Sequence, residues 1–161
     1  MAIWQFVFFL VPQDKILRED GSSPLYLEQF KSRDVDTLFE EEISEEFIDY
    51  WGGGWLQLRE YVSNMFPSLP SWSVDAEFFG IDGQVRVEFW KDEVICMVDA
   101  RADVNKSIYF FSSLAEECKC VVILKEGGRV IAPSNLSLYE EFLKSKAYQF
   151  IQNPHKTLLD G

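Results

Sequence analysis

Residues 72–101, WSVDAEFFGIDGQVRVEFWKDEVICMVDAR, decide the fold class, because here the apolar residues recur at every second position. Trp72, Val74, Ala76 and Phe78 alternate with Ser73, Asp75 and Glu77; Val85, Val87 and Phe89 alternate with Gln84, Arg86 and Glu88; Val94, Cys96, Val98 and Ala100 alternate with Ile95, Met97, Asp99 and Arg101. A period of two is that of strands with one face against a core. Asp82-Gly83 is a strong two-residue hairpin signal and Asp92-Glu93 a weaker one, so the stretch predicts an antiparallel meander.

Upstream, Ile3 to Val11 is a continuous apolar run ended by Pro12, which predicts a strand inside the sheet and covered on both faces. Gln13 to Asp34 is polar, with a turn signal at Asp20-Gly21-Ser22-Ser23-Pro24, and is expected to be a long loop. From Asp34 to Tyr50 the period becomes helical, with Val35, Phe39, Ile43 and Phe47 four residues apart and Asp34 as N-cap. Trp51-Gly52-Gly53-Gly54-Trp55 interrupts this pattern. A second helix is predicted on the stripe Trp55, Leu58, Val62, Met65 and Phe66, stopped by Pro67.

Downstream, Ile108, Phe111, Leu114, Ala115 and Cys118 predict a helix over about Lys106 to Cys118. Val121–Leu124 and Val130–Ala132 flank Gly127-Gly128 as a further hairpin, and Ser137-x-x-Glu140 fits a capping box opening a last helix that runs towards Phe150. With no internal repeat and no dividing linker, residues 1–161 are expected to form a single α+β domain. Its largely antiparallel sheet carries helices packed on one face, in the order β-α-α-β-β-β-α-β-β-α.

Composition limits the function. The 161 residues are 47% hydrophobic and 16% aromatic, too apolar for a disordered acidic tail. Against 27 acidic residues stand 15 basic ones, a net charge of −12. Such a field repels nucleic acid and anionic membrane, and it favours a basic protein partner. The one histidine, His155, sits beside Pro154 near the end of the sequence, so a His-based nucleophilic mechanism is not expected. Cys96, Cys118 and Cys120 form no C-x-x-C pair and read as reduced, mostly buried thiols. The opening apolar run lacks a basic leader and a cleavage site and is too short to cross a bilayer, which gives a cytoplasmic expectation. No catalytic constellation, cofactor motif or metal site is expected, and Gly52-Gly53-Gly54 lacks the Lys-Ser or Lys-Thr that a phosphate cradle requires.

The segment Asp34 to Asp49 is the most distinctive. It holds Asp34, Asp36, Glu40, Glu41, Glu42, Glu45, Glu46 and Asp49 with no basic residue, so like charges repel at i,i+3 and i,i+4. Two readings stand: a solvated helix face, or a surface for a basic partner presented by Asp36, Glu40, Glu41, Glu45 and Asp49. Two-residue loops at Asp82-Gly83 and Asp92-Glu93 would place Glu77 opposite Glu88 and Arg86 opposite Asp99. The opposed Glu77 and Glu88 would either solvate or be relieved by a partner's Lys or Arg, a second candidate surface. Phe79, Trp90, Ile95 and Met97 fall on the same outer face, to be covered by the chain itself or by a partner. Trp51 and Trp55, around the glycine joint, are candidate aromatic anchors or core residues.

A single acidic α+β domain of this size, rich in aromatics and concentrating carboxylates in Asp34 to Asp49, resembles the small cytoplasmic immunity proteins that bacteria encode beside secreted or contact-delivered toxins. The resemblance implies a non-catalytic inhibitor that binds a cognate basic toxin, often a nuclease, and blocks its active site or an adjoining surface. It carries no motif from which contact residues transfer, so the residues above rest on charge alone. The alternatives are a carboxylate-dependent hydrolase or metal-assisted enzyme, and a structural subunit of a bacterial complex.

Overall fold

A computed structural model describes residues 2–31, 49–52, 54–132 and 134–155, Lys31 by its backbone alone. Strand β1 (Gln5–Pro12) is followed by a 3-10 turn (Gln13–Lys15) and the single-turn helix α1 (Glu28–Lys31). Helix α2 (Leu56–Met65) leads into β2 (Ser68–Leu69), β3 (Glu77–Ile81), β4 (Val85–Phe89) and β5 (Val94–Asp99). Helix α3 (Val104–Glu117), β6 (Cys120–Leu124), β7 (Val130–Ile131), α4 (Asn135–Leu143) and α5 (Lys146–Gln152) complete the described chain. The expected acidic helix over Asp34 to Tyr50 lies almost wholly outside the described residues.

The strands form one antiparallel sheet in the order β2-β3-β4-β5-β1-β6-β7, an α+β architecture as the hydrophobic pattern predicts. β1 lies inside it, between β5 and β6, and its residues Phe6 to Val11 are all buried. Phe6, Phe8 and Leu10 join the main core with Val87, Cys96, Val122 and the helices, where Phe8 meets Phe111 of α3 and Phe6 meets Phe142 of α4. Phe9 and Val11 point to the other face, into a smaller cluster with Ile16, Phe30, Val121 and Ile123. That second face is covered by part of Gln13–Lys31, so the expected long loop contains a turn and a short helix that cap the sheet. Each phenylalanine sequestered in this way contributes roughly 1.5–3 kcal/mol.

Several local expectations change. Trp72 to Ala76 is not strand: β3 begins at Glu77, and β2 is a two-residue edge held between Pro67 and Pro70. Proline and brevity both blunt a sheet edge. Met65, expected on the buried stripe of α2, is exposed, and only Leu58 and Val62 of that helix are buried. The last helix is two. Ser134, not Ser137, caps α4, and the chain breaks at Lys144 so that Ser145 caps α5 by accepting from Tyr148 N at 3.2 Å.

The hairpins set the faces. A two-residue hairpin loop needs a positive φ at its first residue, yet Asp82 keeps a negative φ and only Gly83 is left-handed, at 77°. Gln84 N donates to Ile81 O at 2.9 Å, and pairing resumes one residue late, Ile81 with Val85. Glu77 therefore opposes Phe89, and Phe78 opposes Glu88. This one-residue difference puts Glu77 and Glu88 on opposite faces, so the expected like-charged pair does not form. It also turns Phe79 into the main core. At the next hairpin the loop is Lys91-Asp92 rather than Asp92-Glu93, a two-residue displacement that preserves the faces but pairs Arg86 with Met97 and Glu88 with Ile95.

Gly80 fixes β3 against β4: its φ is 148°, and a Cβ there would meet Val85 O at 2.0 Å. Gly80→Ala is expected to destabilise the protein by about 3 kcal/mol, since both the backbone conformation and the contact must change. Lys119, the only described non-glycine residue with positive φ, at 54°, follows α3. Lys119→Gly is expected to stabilise by about 1 kcal/mol. Urea denaturation of the two variants measures both effects.

Candidate functional site on the open sheet face

Val85, Val87 and Phe89 of β4 face the helices, so alternation turns Arg86, Glu88 and then Trp90 to the opposite face. There Glu88 is only 3% exposed. Its Oε1 accepts from Trp90 Nε1 at 3.0 Å, and its Oε2 lies 2.9 Å from Arg86 Nε, an ion pair out of line for a hydrogen bond. The Arg86 guanidinium stands 5.3 Å from the Phe78 ring centroid, and Nη2 reaches Met97 Sδ at 3.0 Å. Phe78 and Trp90 both touch Trp72, whose ring centroid is 5.2 Å from that of Trp90.

Trp72 nevertheless remains 74% exposed, and Val74 in the same loop is fully exposed. The loop thus presents a tryptophan outward while its ring edge rests on an aromatic platform. Exposed Asp75 follows, and Asp92 and Glu93 lie in the turn after Trp90. Pattern reading missed this feature because Trp72, Val74 and Ala76 mimic a strand. The flanking Pro67, Pro70, Ser71 and Ser73 are the signal of a loop.

Beside this cluster a groove of about 340 Å³ crosses the sheet end. Leu69, Pro70, Ile81 and Val85 supply its apolar lining, and Gln5, Asp82, Gly83, Gln84, Arg86, Met97 and Asp99 supply the rest. Asp99 is buried and bound twice by Arg101, Nε to Oδ1 at 2.9 Å and Nη2 to Oδ2 at 2.7 Å, while Arg101 N also donates to Oδ1. Desolvation pushes the Asp99 pKa up, but the Arg101 hydrogen bonds outweigh it and hold the carboxyl below its ordinary 3.8. Arg101 itself stacks on Trp4 at 4.2 Å.

The remaining sequence candidates are dispersed. Asp36, Glu40, Glu41 and Glu45 lie outside the described residues. Asp49 is exposed, and its Oδ1 accepts from Trp51 N at 3.0 Å and Gly52 N at 2.8 Å, organising the glycine joint. Trp51 and Trp55 are half-buried against the main core. Trp51 Nε1 donates to Leu10 O at 2.9 Å and Trp55 Nε1 to Trp90 O at 2.8 Å, so both indole N–H groups are spent inside the protein. Glu77 is exposed on the helix-bearing face, where Arg59 of α2 grips both its oxygens, Nε at 3.1 Å from each. Glu88 is a buried carboxylate rather than a surface one.

His155 is exposed. Burial pushes the Cys96 and Cys118 thiols up, and pushes Cys120 to about 12, so all three are protonated near neutral pH. Among the described residues no group of three or more His, Cys, Asp and Glu is arranged to hold a metal ion, and no helix is long and apolar enough to cross a membrane. No protein-family model, curated protein or solved structure matches the chain.

Two outcomes follow from this chemistry. Glu88→Leu strands the Arg86 charge and the Trp90 N–H and is expected to cost about 2–3 kcal/mol. Arg86→Leu combined with Glu88→Leu is expected to recover part of that loss, with a coupling above about 1 kcal/mol in a double-mutant cycle by urea denaturation. Because the folded-state pKa of Asp99 is depressed, its stabilisation is present above 3.8 and lost as pH falls through the folded value. Asp99→Asn is expected to flatten that acid limb in thermal unfolding measured across pH.

Proposed function

We propose that this protein is a non-catalytic binding protein, a cytoplasmic bacterial immunity protein that inhibits a cognate basic toxin by stoichiometric, electrostatically steered binding. Trp72 carries the proposal: a tryptophan 74% exposed on a packed platform, in a chain of net charge −12. Binding surfaces place a few aromatic anchors inside a polar rim, and excess charge of one sign accelerates capture of the opposite sign. Trp72 with Val74 supplies the apolar centre, and Asp75, Asp92 and Glu93 supply nearby carboxylates. The uncompensated run containing Asp36, Glu40, Glu41, Glu45 and Asp49 adds the long-range field. Lys and Arg that a nuclease uses to hold phosphates are the groups such a surface would meet. Glu77, exposed but gripped by Arg59, contributes less than Asp75 or Asp92.

The direct test is co-expression with the product of the adjacent reading frame, followed by size-exclusion chromatography and a toxicity assay. A one-to-one complex and rescue of growth are expected. Failure of every neighbouring product to bind, with growth unprotected, overturns the proposal. In that complex, Trp72→Ala is expected to weaken affinity at least tenfold, chiefly through faster dissociation. Charge reversal at Glu41 and Glu45 is expected to slow association and flatten its salt dependence, leaving the fold intact; stopped-flow mixing at several ionic strengths reads both.

A further inference from the structure

Three arginines of the described chain share one arrangement, a guanidinium over an aromatic ring and paired with a carboxylate. Arg59 stands 5.3 Å from the Phe79 ring centroid and binds Glu77; Arg86 stands 5.3 Å from Phe78 and pairs with Glu88; Arg101 stands 4.2 Å from Trp4 and binds Asp99. The ring quadrupole attracts the cation, and the carboxylate neutralises it. Trp72 brings a ring and nearby carboxylates to the surface without the cation. None among the described residues lies over its ring, although the residue is 74% exposed. The carboxylates of Asp75, three residues on in the same loop, and of Asp92, two residues past Trp90, make no ion pair or hydrogen bond among the described residues. Lys91, in the same turn as Asp92, pairs with neither.

The loop is also held in shape from within. Ser73 N donates to Ser71 Oγ at 3.2 Å and Asp75 N to Ser73 Oγ at 3.1 Å, so Trp72 and Asp75 share one closed run of turns. Trp51, Trp55 and Trp90 each spend the indole N–H inside the protein, whereas that of Trp72 makes no hydrogen bond. We infer that Trp72 seats an arginine side chain of the basic partner, its guanidinium flat on the indole and its N–H groups directed to Asp75 and Asp92. The inference rests on the reading of Trp72 as the anchor for that partner and names the residue that meets it. Arginine fits better than lysine, because its weakly hydrated plane stacks on a ring while its edge still donates to carboxylates; the lysine ammonium is a strongly hydrated point charge. An apolar residue on Trp72 leaves the local excess, Asp75, Asp92 and Glu93 against Lys91, unmet.

The probes are the capped tripeptide acetyl-Gly-Arg-Gly-amide and its lysine and citrulline counterparts, the last keeping the planar shape and losing the charge. Each is titrated into the full chain and followed by two-dimensional NMR. The Trp72 Nε–H resonance, identified by its loss in Trp72→Leu, is expected to shift saturably with the arginine peptide. The lysine peptide is expected to bind at least threefold more weakly and the citrulline peptide at least tenfold more weakly. Asp75→Asn is expected to weaken the arginine peptide at least twofold, with the Trp51 Nε–H resonance unmoved as the sign of an intact fold. Equal binding of either counterpart, shifts confined to other parts of the surface, or indifference to Asp75→Asn would each overturn the assignment. A toxin that binds through Trp72 while the arginine peptide leaves the indole unmoved overturns this inference alone. An arginine response without any neighbouring product bound supports the seat and overturns the toxin reading.

Discussion

Strand β1 sends apolar side chains to both faces of the sheet, and the rest of the molecule is arranged around the need to cover them. Phe6, Phe8 and Leu10 demand one cover, and Phe9 and Val11 demand another. Helices α2 to α5 supply the first, locked by edge-on contacts such as Phe8 to Phe111. The second cover is thinner: Ile16, Phe30 and Tyr50 lie over β1 and β6, with Phe9 and Phe30 rings 4.7 Å apart. Tyr50 and Trp51, adjacent in sequence, pack against different clusters, so the chain changes faces of the sheet between them.

Among the described residues that second cover reaches Ile95 of β5 and goes no further, and β3 and β4 finish their outer face with strand and loop side chains. They do so with Arg86, Glu88 and Trp90, one side chain per pleat, roofed by Phe78 and Trp72. A buried ion pair is an expensive way to cover a sheet, since desolvation offsets much of the Coulomb gain. Here the Trp90 N–H, the Phe78 ring and the partial exposure of Arg86 reduce that cost. The described domain pairs other carboxylates in the same manner, Glu77 with Arg59, Asp99 with Arg101 and Glu141 with Arg129. The surplus lies in residues 34–49: the chain's −12 less the eight carboxylates there leaves −4 elsewhere.

The architecture was legible wherever periodicity was strong. The buried central strand and the stripe Ile108, Phe111, Leu114 and Ala115 follow from apolar spacing, and the existence of the hairpins, though not their loop lengths, from that spacing with the turn residues between. The site was not, and the reason is local. Whether Glu77 faces Glu88 depends on the sign of one φ at Asp82, which composition does not specify, and a single residue of register exchanges the faces. Likewise Trp72, Val74 and Ala76 alternate as a strand would, but Pro67 and Pro70 lack ladder N–H groups, and the Ser71 and Ser73 hydroxyls take up the Ser73 and Asp75 N–H groups in local turns, so pairing stops at Ser68–Leu69. The triad Arg86, Glu88 and Trp90 was visible as an i, i+2, i+4 pattern. Its burial was not, because the roof over it comes from a loop.

Arg86 ties the two halves of this face together. Its guanidinium lines the groove, stacks on Phe78 and pairs with the carboxylate that holds Trp90, and Phe78 and Trp90 are the platform for Trp72. The groove and the aromatic platform are thus joined by packed aromatic rings and one ion pair. Contact chains of this kind have few alternative arrangements, so the position of Trp72 is set by the same side chains that shape the groove. The two features share one support, and that support exists only because the loop at Asp82-Gly83 is three residues long and turns Glu88 away from Glu77.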